Sequence, residues 1–255
     1  MAQIDINCDI GESYGAYKIG KDEEILQYVT SVNIACGYHA GDPVIIKNTI
    51  ENAIKNGVAI GAHPGYPDLL GFGRREMKLG NDELFSYILY QVGALKSMTE
   101  ALGGKLQHVK PHGAMYNSAS VDYSMARIIS EAIYKVDPGL ILVGLANSQL
   151  IKAATDTGLK AANEIFADRR YQKDGTLVPR SHELALIHDE EQAVNQVKQI
   201  LQKGTVTSIE NCSIPLKADS ICIHGDSPQA LGFAKKLYEE LNMSGISQVA
   251  LSKLL

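Results

Sequence analysis

The sequence predicts an α/β protein, a single (β/α) barrel of seven strands. Three observations predict it. Short apolar strand patterns alternate with helix patterns seven times, and such repeats imply a parallel sheet with right-handed crossovers. Polar residues keep to one face of several strands, as they would if the other face lay beneath helices. No linker, low-complexity tract or break in composition interrupts the 255 residues, enough for one barrel or two small domains. Seven units fit a closed or nearly closed barrel better than an open sheet, so residues 1–255 are read as one domain.

The elements follow in order. The first strand is Gln3–Cys8, with a helix near Asp22–Thr30. The second, Val32–Cys36, runs through a turn holding His39 into a helix from Pro43 to Asn56. Asp42 is a good N-cap there, and Pro43 fits the first helical position, where its missing N–H costs nothing. The third strand, Gly57–Ala62, precedes a long loop and a helix near Asp82–Leu102. In that helix Leu84, Ile88, Val92, Leu95, Met98 and Leu102 form one apolar stripe. The fourth strand is Leu106–Lys110, with a helix near Val121–Val136. The fifth is Leu140–Leu145, with a helix near Ser148–Thr157. The sixth is Leu159–Phe166, and its helix comes late, Glu190–Lys203, closed by Gly204. Thr205–Leu216 fits a small inserted hairpin. The seventh strand is Ser220–His224, and its helix runs from Ser227 as N-cap and Pro228 to about Asn242.

Composition narrows the function classes. Hydrophobic residues make up 45% of the chain, and 24 basic against 29 acidic residues leave a net charge of −5. No basic block stands out, which argues against nucleic acid as a partner. The start is too short and too acidic for a signal peptide, and no apolar run approaches membrane-spanning length. The four cysteines form no C-x-x-C pair and read as reduced thiols, so the chain is expected in the cytoplasm. Gly-x-x-x-x-Gly-Lys-Ser/Thr and Gly-x-Ser-x-Gly are both absent, and Ser13 beside Glu12 makes no triad.

Chemistry gathers where barrels keep it, at the C-terminal ends of the strands. The first strand offers Asn7, Asp9 and Glu12; the second, His39 and Asp42; the third, His63 and Asp68. The fourth offers Lys110, His112 and Tyr116, the sixth Glu164, Asp168 and Arg169, and the seventh His224 and Asp226. The fifth gives only Asn147 and Ser148. Alternation puts Asp5, Asn7 and Asp9 on the lumen face, with His108, Lys110 and His112, and with Ser220, Cys222 and His224. Such a lumen is costly unless its groups are paired or wet, and a wet site accounts for more of them than structural ion pairs. Four histidines at one rim can serve as acids, bases or metal ligands. Lys110 can stabilise a phosphate or an oxyanion, or pair with Asp9. The long loop Ala62–Arg75, with Arg74 and Arg75, and a second one holding Asp168–Arg180 could close over an anion.

Several blocks resemble a known family: Asn7-Cys8-Asp9-Ile10-Gly11-Glu12-Ser13-Tyr14-Gly15, Asn33 through Pro43, Gly61 through Asp68, Lys110 through Asn117, Phe166 through Arg169, Asp174 through Arg180, and His224-Gly225-Asp226. In this order they are similar to the lactam-utilisation family, the A subunits of bacterial 5-oxoprolinase. Met115 stands where a leucine is usual and Ser227 where an asparagine is usual; neither change removes a titratable group. The resemblance implies a barrel related to glycoside hydrolases and deacetylases. It also implies ATP-dependent opening of 5-oxo-L-proline to L-glutamate, with magnesium and with partner subunits B and C. The candidate catalytic residues are then Asp9, Glu12, His39, His63, Lys110, His112 and His224. The candidates for binding substrate or nucleotide are Asn7, Asn33, Asp42, Arg74, Tyr116, Glu164, Asp168, Arg169, Arg180 and Asp226. No residue is assigned to a protein-held metal in this reading. The alternative is a metal-dependent, deacetylase-like hydrolase using Asp9, His39 and His63. Homo-oligomers stay open.

Overall fold

The first strand, β1 (Gln3–Ile10), is buried from Ile4 onward, one face in the apolar core and the other in the lumen, and it has neighbours on both edges. One is β2 (Ser31–Ala35), the other β9 (Ser220–His224), and both run parallel to it. A strand that pairs with the second and with the last of its sheet closes a ring. In the computed structural model, which describes residues 2–225 and 230–255, the ring continues through β3 (Ala59–His63), β4 (Leu106–Val109), β5 (Ile141–Leu145) and β6 (Lys160–Phe166) to β9. That is the expected seven-stranded parallel barrel. A two-residue strand, β10 (Ser247–Gln248), adds to the start of β1.

Helices α2 (Pro43–Lys55), α3 (Asn81–Ala101), α5 (Tyr123–Val136), α6 (Gln149–Thr157), α7 (Glu190–Lys203) and α8 (Ala230–Met243) have their expected places, α8 only from its first described residue. The expected cap Ser227 and Pro228 lie outside the described residues. Asp42 caps α2 by accepting from the Val44 and Ile45 amides at 2.8 and 3.0 Å. Gly204 ends α7 in the left-handed region. Leu84, Ile88, Val92 and Leu95 of α3 are buried against the barrel, while Met98 and Leu102 are partly buried against the same core. The inserted hairpin is β7 (Thr205–Thr207) with β8 (Ser213–Pro215).

Two expectations need correction. The first helix, α1, spans only Asp22–Ile25 instead of reaching Thr30. Thr30 leaves the helix because its amide and hydroxyl are bound by the Ile6 carbonyl and the Asp5 carboxylate. The helix expected near Val121–Val136 is α5, capped by Asp122 through the Ser124 and Met125 amides, but an unexpected helix, α4 (Gly113–Val121), precedes it. The small residues of α4 carry little amphipathic pattern, which hid it. The C-terminal segment also has a place. Leu251 packs on Ile141, Val143 and Ala162, residues at the strand starts, and closes the barrel's lower end. Among the described residues no helix is long and apolar enough to cross a membrane.

Candidate active site

The lumen divides into a sealed floor and a mouth. On the floor, Asn7 donates to Glu164 at 2.9 Å and to Ser220 at 2.7 Å. Asn33 donates to Asn7 and Asp9, both at 2.7 Å, and its carbonyl accepts from His108 Nε2, also at 2.7 Å. Asp5 accepts from Thr30, Ser31 and Ser220. Tyr116 donates its hydroxyl to Glu164 at 2.7 Å. Burial, then Lys110, pushes His108 down to about 3, so its ring is neutral. Gly61 makes room for that ring: a Cβ there would stand 2.0 Å from His108 Nε2. A glycine inside a strand often marks such an approach.

Lys110 sits at the boundary. Its ammonium lies 2.9 Å from Glu164, 3.0 Å from Asp9 and 2.9 Å from the Cys222 sulfur. Burial opposes its charge, yet Asp9, Cys222 and Glu164 together hold it well above the ordinary lysine range. Burial likewise opposes the charge of Asp9, but His63 and Lys110 hold its carboxyl well below the usual range. Of the roles open to Lys110 in the sequence, the ion pair with Asp9 is the one the structure displays. The balance between pairing and solvent also needs correction: the floor groups pair with one another, apart from His108 Nδ1, which has no partner among the described residues, and the mouth opens to a cavity.

That cavity holds about 420 Å³ and is lined by Asp9, Glu12, His63, Arg74, Lys110, His112, Tyr116, Phe166, Arg169, Arg180 and His224 among others. His63, His112 and His224 meet there with Asp9, as strand alternation predicts. His39 stands behind them, stacked on His112 with ring centroids 3.7 Å apart and fully buried. His63 Nδ1 donates to the Lys110 carbonyl at 2.7 Å, and His112 Nε2 donates to the Phe72 carbonyl at 2.8 Å. Those bonds leave His63 Nε2 and His112 Nδ1 facing each other at 2.9 Å. Burial first, then neighbouring histidines, pushes His39 and His112 well below their ordinary range. His224 donates from Nδ1 to Asp168 at 2.9 Å. Burial works against the Asp168 charge, but His224, Arg180 and Arg169 hold its carboxyl low. Burial, then Arg180, brings Arg169 down to about 10.

Other candidates fall elsewhere. Asn7, Asn33 and Glu164 belong to the floor network. Asp42 caps α2 and binds the Gly15 amide at 2.8 Å, outside the cavity lining. Arg74 lines the cavity, with its guanidinium 4.9 Å from the Phe72 ring centroid, whereas Arg75 is held by Asp68. Asp226 lies outside the described residues. The proposed Asp9–His39–His63 set is not assembled as a unit: Asp9 Oδ2 is 3.5 Å from His63, but His39 points Nε2 at Glu12, 3.5 Å away. Asp9, Cys222 and His224 also come within 4.8 Å of one another, with the Lys110 ammonium already bound to two of them. Sequence reasoning missed Phe72, whose carbonyl fixes His112 and whose φ of 53° is left-handed; nothing in the sequence signals it.

The comparisons with known proteins agree with this geometry. The LamB/YcsF family model matches residues 4–255. The chain belongs to the LamB/YcsF family. It is 54% identical over 253 residues to the A subunit of 5-oxoprolinase from Bacillus subtilis (strain 168), covering 99% of this chain and 98% of that one. The crystal structure of the lactam utilization protein from Thermus thermophilus superposes with a TM-score of 0.91 at 42% identity, over 97% of this chain and 99% of that one. A GH113 β-1,4-mannanase, 13% identical with a TM-score of 0.51 over 94% of this chain and 99% of that one, shares the fold alone. The expected glycosidase-type barrel is thereby borne out, and the LamB/YcsF blocks read in the sequence are the strand ends that build the mouth.

Proposed function

We propose that this chain is the A subunit of a cytoplasmic 5-oxoprolinase, which opens 5-oxo-L-proline to L-glutamate at the expense of ATP, together with subunits B and C. One observation carries the reading: a cavity lined by Arg74, Arg169 and Arg180 together with carboxylates and histidines. A small lactam acid needs both kinds of group. Guanidinium groups match a carboxylate or phosphate, and a carboxylate takes the proton of the water that attacks the ring carbonyl.

A five-membered lactam resists water because its amide is resonance-stabilised, and it recloses readily because amine and carboxyl stay held together. Transfer of a phosphoryl group to the lactam oxygen weakens that resonance, and ATP with magnesium is the source. Arg74, Arg169 and Arg180 would hold the anionic groups and spread developing charge. Lys110 is committed to Asp9 and Glu164 and positions Asp9. Asp9 and Glu12 accept the proton of the attacking water, His224, oriented by Asp168, gives a proton to the departing ring nitrogen, and the transferred phosphoryl group is released to water as inorganic phosphate.

The test measures glutamate and ADP with and without subunits B and C. The lone chain with 5-oxoproline, ATP and magnesium should release no glutamate, and the three subunits together should form glutamate while consuming ATP. Steady glutamate release by the lone chain without ATP overturns this reading.

A further inference from the structure

The geometry points to a divalent transition-metal site at the mouth, formed by Glu12 Oε1, His39 Nε2, His63 Nε2 and His112 Nδ1. The four residues bring one ligand-type atom each within 4.8 Å of one another, and all four are buried. Three features single out this cluster, in which His39 must turn out of its parallel stack on His112 for both rings to face one ion.

The first is the tautomers. A backbone carbonyl can only accept, so His63 carries its proton on Nδ1 and His112 on Nε2. The two remaining nitrogens face each other at 2.9 Å. Two imidazole nitrogens at that distance need a proton or a metal ion between them. Carbonyl bonds of this kind are also how proteins orient metal-binding imidazoles.

The second is His39. Its ring is fully buried, yet neither nitrogen has a hydrogen-bond partner among the described residues. A buried polar group without a partner calls for one, and Nε2 lies 3.5 Å from Glu12 Oε1. The third is spacing. Nitrogens sharing one ion at ordinary Zn–N lengths stand roughly 2.9–3.4 Å apart. The separations here are 2.9 Å between His63 and His112, with Glu12 Oε1 at 3.5 Å from His39 and 3.6 Å from His112. Imidazole and carboxylate donors suit zinc, cobalt or manganese rather than magnesium. Glu12, His63 and His112 also line the cavity, so the ion has an approach from that side.

The site is a property of this chain alone, so its test is separate from the lactam assay. The full chain, stripped with a chelator and incubated with Co²⁺, is passed through gel filtration and assayed for metal and visible absorption. One cobalt per chain is expected, with visible bands, and Glu12→Gln should weaken binding at least about 100-fold, beyond the effect of losing an outer-shell partner. X-ray absorption on the unsubstituted protein needs no variant and should give three imidazole nitrogens and at least one oxygen. A chain that melts cooperatively but retains neither cobalt, zinc nor manganese overturns the proposal, as does bound cobalt whose scattering lacks imidazole. A proton shared between His63 and His112 would then hold the two rings together.

Discussion

The floor and the mouth of this barrel are built from the same residue types and behave oppositely. On the floor, Asn7, Asn33, Ser220, Tyr116 and Glu164 satisfy one another across strands that are far apart in sequence. At the mouth, His39 has no hydrogen-bond partner among the described residues, and three arginines line the cavity. The difference teaches that polarity in a lumen does not by itself mark function. Polar groups that complete each other hold the ring together, and those that point to something missing bind. Lys110 stands between the two, and its three partners place it with the floor.

The sharpest way to break this distinction is Lys110→Ala. It strands the buried carboxylates of Asp9 and Glu164 without a cation, and such losses cost about 3–5 kcal/mol. Urea denaturation should register that loss even without substrate. A stability change below about 1 kcal/mol would return Lys110 to the mouth.

Arg180→Ala tests the other half. The residue is exposed at the cavity rim, so stability should shift by no more than about 0.5 kcal/mol. Turnover by the assembled enzyme should fall roughly 10²-fold, the scale of losing one charge stabiliser. Normal turnover would remove Arg180 from the cationic lining.

Asp5 sharpens the comparison through pH. Burial, against the pull of its three hydroxyl partners, raises its carboxyl from 3.8 to about 6. The folded chain therefore holds this proton more tightly than the unfolded chain. Its contribution to stability is full below about pH 3.8 and is lost as the pH rises through 6. A shift of this size corresponds to about 3 kcal/mol. The stability of the natural chain relative to Asp5→Asn should fall by that amount between pH 4 and 7, measured by denaturation at each pH. A flat difference would mean the Asp5 network is wet.

The smallest effect belongs to a residue outside both regions. Asp42→Ala removes the α2 cap and should cost about 1 kcal/mol, read as a lower melting temperature.

Much of this was legible in the sequence, for a physical reason. Strand alternation decides which side chains share a face, so Asp9, His63, Lys110, His112 and His224 could be placed at one end without coordinates. Asp42-Pro43 and Gly204 announced their helix ends through local chemistry. What alternation cannot reveal is who meets whom across the ring. Asn7 and Glu164 are 157 residues apart, and only closure shows that the floor completes itself. Backbone partners are equally silent, as with the Phe72 carbonyl on His112. His39 shows both limits: its turn was readable, its place behind His112 was not.

The closure itself has a consequence for synthesis on the ribosome. Ser220 of β9 binds both Asp5 and Asn7 of β1, so the ring's last seam joins its first strand to its last. While the nascent chain emerges, β1 must wait with one edge unpaired and its acidic floor residues lacking Ser220. Contacts of such long range form slowly, and exposed strand edges invite wrong partners. The seam can form only after β9 has been synthesised, and Leu251 can seat against β5 and β6 only later still. A chain cut short of Ser220 therefore lacks this seam and leaves the tunnel as an open sheet.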